Sequence, residues 1–373
     1  IGTSGIDDIY TWDQTINPYG RDNLEEYKIN TLSPRRYGGT LSWMASDGED
    51  EEQTDGIGAS EAIKKLENFS NTGKNFFLAV GFFRPHTPFV APKKYFDLYS
   101  KDDIVIPESS PDYLKTIPIP AAKSVRSKKN QINLEEDLAK EIKQAYYATI
   151  SFVDAQVGRI INKLKQTGLD KNTIVVFTSD HGYHMGEHGH WQKQTLFNNA
   201  TKVPLIINVP GKDYISKISN SPVELIDIFP TLMDLTSIIT QPHVVGESLK
   251  PIIENKTSFV RKNALTRWRN GYSVRTERFR LTKWDINGDF QYELYDHKFD
   301  EEELNNLALD SNYSLIRDSL IQTINNRIIE VDMKPNGIGR QIENVKQHPR
   351  IINVTYGDTH NENGKRTHLK SKN

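Results

Sequence analysis

The sequence has no cysteine. Disulfides, cysteine-built zinc sites and thiol catalysis are therefore excluded within the chain. The compartment stays open, because an exported protein can also lack cysteine. There is no excess of one charge: 47 Lys and Arg face 49 Asp and Glu, for a formal net charge of −2. No global basic field points to nucleic acid as a partner. No apolar run approaches the ~20 residues that span a bilayer as a helix, so no membrane span is expected. An initiator Met and a basic-then-apolar leader are also missing from the start, IGTSGIDD, so an export signal could have been lost.

What is present suits one large α/β domain and a smaller one, since 373 residues exceed a single small core. Residues 1–55 are polar and read as a long surface segment following an earlier part of a domain. IGASEAIKKLENF, at 57–69, reads as a helix that Gly73 ends. NFFLAVGF is apolar on both faces and reads as a fully buried strand, stopped by the prolines of RPHTPF. Residues 101–133 read as loop, with a solvated basic run at 123–129. A long helix is expected from about Leu134 to Gln166, because Ile142, Tyr146, Ile150, Val153, Val157, Ile160 and Leu164 step by three or four.

TIVVFTS and VPLIINV read as further buried strands. Strand–helix–strand order with continuous apolar strands argues for a parallel sheet covered on both faces. Beyond about Thr240 the pattern alternates. YSVRTERFRLTKW, the turn DINGD and FQYELYDH predict half-exposed antiparallel strands, and SLIRDSLIQTINNRIIEV a closing helix. The polar tail from about Lys334 is expected to be irregular or to wrap the surface.

The chemistry concentrates in FTSDHGYHMGEHGHWQKQT, just past a strand end, where open α/β sheets put ligands. Gly182, Gly186 and Gly189 disfavour a continuous helix there, and HExxH is absent. Asp180 and His181 could both reach a divalent cation; equally, Asp180 could cap a turn and His181 be a bonded core residue. Lys193 could hold an anionic oxygen or be solvated. His86, fixed by neighbouring prolines, ends a different strand and is as compatible with structure as with function. Together these residues suit hydrolysis of an anionic ester. The cation and Lys193 would stabilise non-bridging oxygens, and a histidine would protonate the leaving alkoxide. A convincing nucleophile is missing.

FFLAVGFFRPHTPF, YYATISFVDAQVGRIINKL, TIVVFTSDHGYHMGEHGHWQKQTLFNNATKVPLII and VELIDIFPTLMDL resemble type I sulfatases, and among them most the iduronate-2-sulfatase branch. YSVRTERFRLTKW with ELYDHKFDEEELNNLA is similar to the family's C-terminal subdomain. The resemblance covers about residues 1–330. It implies the α/β fold of the alkaline phosphatase superfamily: a large, mostly parallel mixed sheet between helices, and a small C-terminal α+β subdomain with an antiparallel sheet. On that basis residues 1–240 are expected to be the remainder of the catalytic domain, 241–333 the subdomain and 334–373 a polar basic tail.

The resemblance further implies sulfate ester hydrolysis with one Ca2+ ion and a formylglycine nucleophile made in a C/S-x-P-x-R motif. Asp180 and His181 match metal ligands. His86 and Lys193 match catalytic, sulfate-contacting residues. Tyr183, His184 and Arg84 fall where a substrate pocket would be lined. The implied substrate is a sulfated polysaccharide or oligosaccharide, uronic-acid-containing, and the implied location periplasmic or extracellular.

The C/S-x-P-x-R motif itself is absent; in LSPRR, Ser33 stands directly before its proline. Asp7 and Asp8 read as loop residues rather than as a first pair of metal carboxylates. The nucleophile, two metal ligands and a lysine are therefore expected upstream, on an N-terminal companion segment of the same protein. Two alternatives remain: a phospho-ester hydrolase of the same superfamily, and a non-catalytic sulfated-glycan-binding remnant.

Overall fold

A computed structural model describes residues 12–33, 40–108, 112–211 and 218–332, and the backbone of short strands at 351–355, 358–360 and 366–368. Asp7 and Asp8 lie outside the described residues.

The scaffold is the helix Glu136–Gln166. It carries acids in its first turn and Lys163 and Lys165 in its last, which complements the helix dipole. Ala139, Ile142, Ala145, Ala148 and Phe152 recur at three or four residues and are buried. Against this stripe lie two short parallel strands, Ser42–Ser46 and Phe89–Pro92, with Trp43 opposite Phe89. The Trp43 indole donates to Glu141 Oε1 on the helix at 2.8 Å. Phe89 is fully buried, and truncating it to alanine would cost about 3–5 kcal/mol. The helix Thr54–Thr72 packs on the same scaffold. Its chain leaves through Gly73 at φ +63°, whose N–H returns to Phe69 O.

Four expectations need correction. Ser42–Ser46 falls in the segment expected on the surface but is a buried strand; two serines, hydrogen-bonded inside, hide it in a polarity profile. NFFLAVGF forms no ladder among the described residues. It alternates instead, with Phe77 71% exposed between half-buried Phe76 and Leu78. Val175–Thr178 and Leu205–Asn208 do pair, but antiparallel, and Phe177 and Ile206 face outward. An apolar run shows that both faces can be covered; it does not fix strand direction. The expected basic loop begins in the helix Ile119–Val125, whose Ser124 and Val125 are buried.

The C-terminal region is a separate four-stranded antiparallel sheet of Ala264–Trp268, Gly271–Arg275, Phe279–Ile286 and Asp289–Asp296, joined in chain order. Asn287 and Gly288, both at positive φ, make the tight turn read from DINGD. The helix Ser314–Asp332 closes one face, packing Leu320 and Ile324 on Val274, Leu281 and Leu294. Mixed α/β layers with this separate sheet match the expected fold class. In the tail, Ile351–Thr355 pairs in parallel with Thr15–Tyr19, so that stretch is not irregular.

Candidate active site

The loop after Val175–Thr178 turns sharply at Asp180–Gly182. Gly182 donates to Ala200 O at 2.8 Å, and a Cβ there would stand 2.0 Å from Asn199 O. Only glycine allows that approach. A small antiparallel pair, His184–Met185 with Trp191–Gln192, then carries the chain back. Gln192 adopts φ +97°, which an L-residue enters at a cost of roughly 1–3 kcal/mol. That bend aims Lys193 at His181.

Lys193 Nζ is 2.6 Å from His181 Nε2. His181 Nδ1 donates to Gly182 O at 2.7 Å, which leaves Nε2 as the lone-pair nitrogen. Asp180 Oδ1 is 3.5 Å from the same Nε2. His86 donates from Nδ1 to Thr87 O at 2.6 Å. Burial, then the charges of Lys193 and His181, lower the His86 pKa, so these groups share one electrostatic neighbourhood. His86, from one segment, thus lies within electrostatic reach of His181 and Lys193, from another.

Three other candidates are placed differently. His184 is fully buried, with Nε2 2.8 Å from Thr195 Oγ1, and burial, His190 and His188 hold it well below the usual histidine range. Tyr183 stacks on Tyr146 at 5.5 Å and meets Phe89 edge-on; burial pushes its phenol far up. Arg84 is spent inside, donating to Asp22 Oδ2 at 2.5 Å and to Val90 O at 3.0 Å. These three are held by internal partners.

A hard cation such as Ca2+ takes six to eight oxygen-rich ligands. Asp180 and His181 offer one carboxylate and one imidazole, with side chains 59% and 29% exposed on the open side of the loop. Among the described residues no group of three His, Asp or Glu converges on one point. The Lys193 ammonium sits against the nitrogen that a cation would take. The pair fits part of a cation shell and does not complete one.

Residues 2–238 match the sulfatase family model. The chain belongs to the sulfatase family. Residues 186–330 also match the C-terminal region of N-sulphoglucosamine sulphohydrolase. A sulfatase from Formosa agariphila is 36% identical over 250 residues, covering 65% of this chain and 48% of that protein. Human (Homo sapiens) iduronate 2-sulfatase is 34% identical over 218 residues, covering 49% and 40%. An ulvan-active sulfatase from Formosa agariphila is 27% identical over 286 residues, covering 73% and 51%. The chain thus spans about half the length of the relatives it matches. The phosphonate monoester hydrolase of Silicibacter pomeroyi superposes with a TM-score of 0.69 at 23% identity, over 77% of this sulfatase-family chain and 62% of that one. It shows the fold alone.

Sequence reading missed the acids that hold the site from behind. Asp55 accepts the amides of Phe83 and Arg84, and Asp22 takes the Arg84 guanidinium. No spacing rule links positions 22, 55 and 84. The one available signal was an arginine next to a proline-rich turn, which needs a partner if buried.

Proposed function

We propose that this chain carries one half of the site of a sulfatase acting on a sulfated, uronic-acid-containing glycan. The observation that carries the reading is the His181–Lys193 contact with Asp180 beside it and His86 in the same field. Lys193 supplies fixed positive charge for a sulfate oxygen. Asp180 and His181 would hold Ca2+ together with ligands from elsewhere, and that ion would supply further charge stabilisation. His86 keeps its Nε2 free, since Nδ1 is engaged with Thr87 O. Burial first, then the neighbouring positive charges, lower its pKa; a bound anion offsets the charges, which favours a proton on His86 for the leaving alkoxide.

The nucleophile belongs to a companion N-terminal segment as a formylglycine. The glycan reading is supported by relatives described as iduronate 2-sulfatase and ulvan-active sulfatase. Export to the periplasm or beyond accompanies a polysaccharide substrate.

Peptide mapping by mass spectrometry on the native protein tests this first. A companion segment with formylglycine in a C/S-x-P-x-R peptide, together with release of sulfate from a sulfated uronate oligosaccharide, is the expected result. A homogeneous chain beginning at Ile1 that releases none, and binds sulfated glycan all the same, would replace catalysis with the binding reading. Preference for a phosphate ester would move the protein to the other branch of the superfamily.

A further inference from the structure

His86 sits in a short turn with almost no regular secondary structure to hold it. Its own N–H bonds to Phe83 O at 2.9 Å. On the downstream side the Thr87 hydroxyl donates to Thr40 O at 2.8 Å and accepts from Ser42 N at 3.2 Å. On the upstream side the backbone is held by a carboxylate. Asp55 Oδ1 accepts the Phe83 amide at 2.8 Å, and Oδ2 accepts the Arg84 amide at 2.9 Å. Asp55 is 2% exposed and stands in the first turn of the helix Thr54–Thr72.

A second acid completes the arrangement. Asp22 Oδ2 takes the Arg84 guanidinium, while Asp22 Oδ1 accepts both the amide and the hydroxyl of Thr54, at 2.9 and 2.6 Å. The segment around Asp22, the start of the helix and the His86 turn are therefore locked by two buried carboxylates and one guanidinium. A buried acid is costly unless every oxygen is used, and here each oxygen has a donor.

We propose that Asp55, backed by Asp22, is the positioning residue that fixes His86 toward Lys193 and His181. This rests on the sulfatase reading of His86. Asp55 touches no reacting atom. It acts through the Phe83 and Arg84 amides, which set the backbone from which His86 projects. The Asp55→Asn change has a definite consequence. One of its two side-chain atoms becomes a donor, so one amide must face an NH2 group and lose its acceptor.

The test uses the full chain, with the His86 ring signal followed by NMR and assigned through His86→Ala. Inorganic sulfate is the probe. In the wild type the His86 signal should move with sulfate. In Asp55→Asn it should start at a different position and respond to sulfate with roughly three- to tenfold weaker affinity. Amide exchange at Phe83 and Arg84 should accelerate roughly ten- to a hundredfold, while exchange in the helix Glu136–Gln166 stays unchanged. A merely structural role would raise exchange throughout. If Asp55→Asn does not fold, Asp22→Asn is the second variant. It keeps an acceptor for Thr54, loses the one for Arg84, and should shift the same His86 signal by a smaller amount. A wild-type His86 that ignores sulfate overturns the site reading, and this proposal with it. A wild-type response that survives unchanged in both folded variants overturns the positioning role alone.

Discussion

The loop that follows Lys193 is held by a buried ion pair of the C-terminal sheet, and breaking that pair has a calculable cost. Arg280 is 1% exposed and Glu303 fully buried. Arg280 Nε donates to Glu303 Oε1 at 2.6 Å, and its Nη2 donates to Oε2. The same carboxylate takes His297 Nε2 at 2.7 Å and the backbone amide of Asn198 at 2.8 Å. Burial pushes the Arg280 guanidinium down to about 10, still charged at neutral pH. Glu303→Ala therefore leaves the buried guanidinium without its hydrogen-bonded carboxylate, a loss of roughly 3–5 kcal/mol.

Asn198 loses its acceptor at the same time, but the two effects share one carboxylate and do not simply add. Roughly 4 kcal/mol is a large part of a domain's total of about 5–15 kcal/mol. Urea unfolding followed by circular dichroism reads it directly. The double change Arg280→Met with Glu303→Leu should recover most of the loss, because it removes both charges. A Glu303→Ala cost below about 1 kcal/mol, or a double variant no better than the single one, would refute the reasoning.

Acid should destabilise the protein through its buried histidines. Burial first, then nearby Arg280 and His190, lowers His188 to about 3; burial, partly offset by Val125 O, lowers His190 to about 4. The unfolded chain takes these protons from about pH 6.5, so stability is full above that pH and falls as pH drops toward the folded values. Each group contributes about 1.4 kcal/mol per pH unit. Asp55 opposes this: burial raises it to about 6, so acidification from there toward its unfolded value adds stability. His184 and His297 are lowered as well, and Glu293 is raised by burial. The four histidines outweigh the two acids, and urea midpoints should decline from pH 7 to 5; a flat or rising trend sinks the account. Lys193→Ala should abolish sulfate protection against thermal unfolding of the full protein, and retained protection would remove Lys193 from the site. Asp180→Asn should weaken Ca2+ binding by isothermal titration roughly tenfold or more; unchanged affinity would place the cation elsewhere.

Much of the helical architecture was legible because a stripe of apolar residues at three and four residue steps admits few readings. Ile142, Val153 and Leu164 located the long helix within two residues of its observed start. The C-terminal hairpin was legible through alternation and the Asn–Gly turn. Strand partners were not. Phe177 and Ile206 belong to runs that look buried on both faces, and direction of pairing has no signature in such runs. In the site, residue type and position at a strand end singled out His86, Asp180, His181 and Lys193. Depth was illegible: Tyr183 and His184 neighbour the half-buried His181 in sequence, yet the chain turns inward at Gly182, packing Tyr183 on Tyr146 and burying His184 fully.

The acids that sequence reading passed over share one physical reason for being where they are. Site loops lack the ladder that satisfies backbone amides in helices and strands, and an amide turned inward still needs an acceptor. Asp55 takes the amides of Phe83 and Arg84, Glu303 takes that of Asn198, and Glu187 takes that of Met185 at 2.6 Å. Each lies on or next to a segment that carries a candidate site residue. A carboxylate suits the task better than a carbonyl, because its two oxygens can take two amides or an amide and a cation together. The cost is a charge near or in the core, which Arg84 and Arg280 offset for the loops of His86 and Lys193. The exposed half of the site can then be made of short, locally bonded side chains, because the geometry is set one layer deeper.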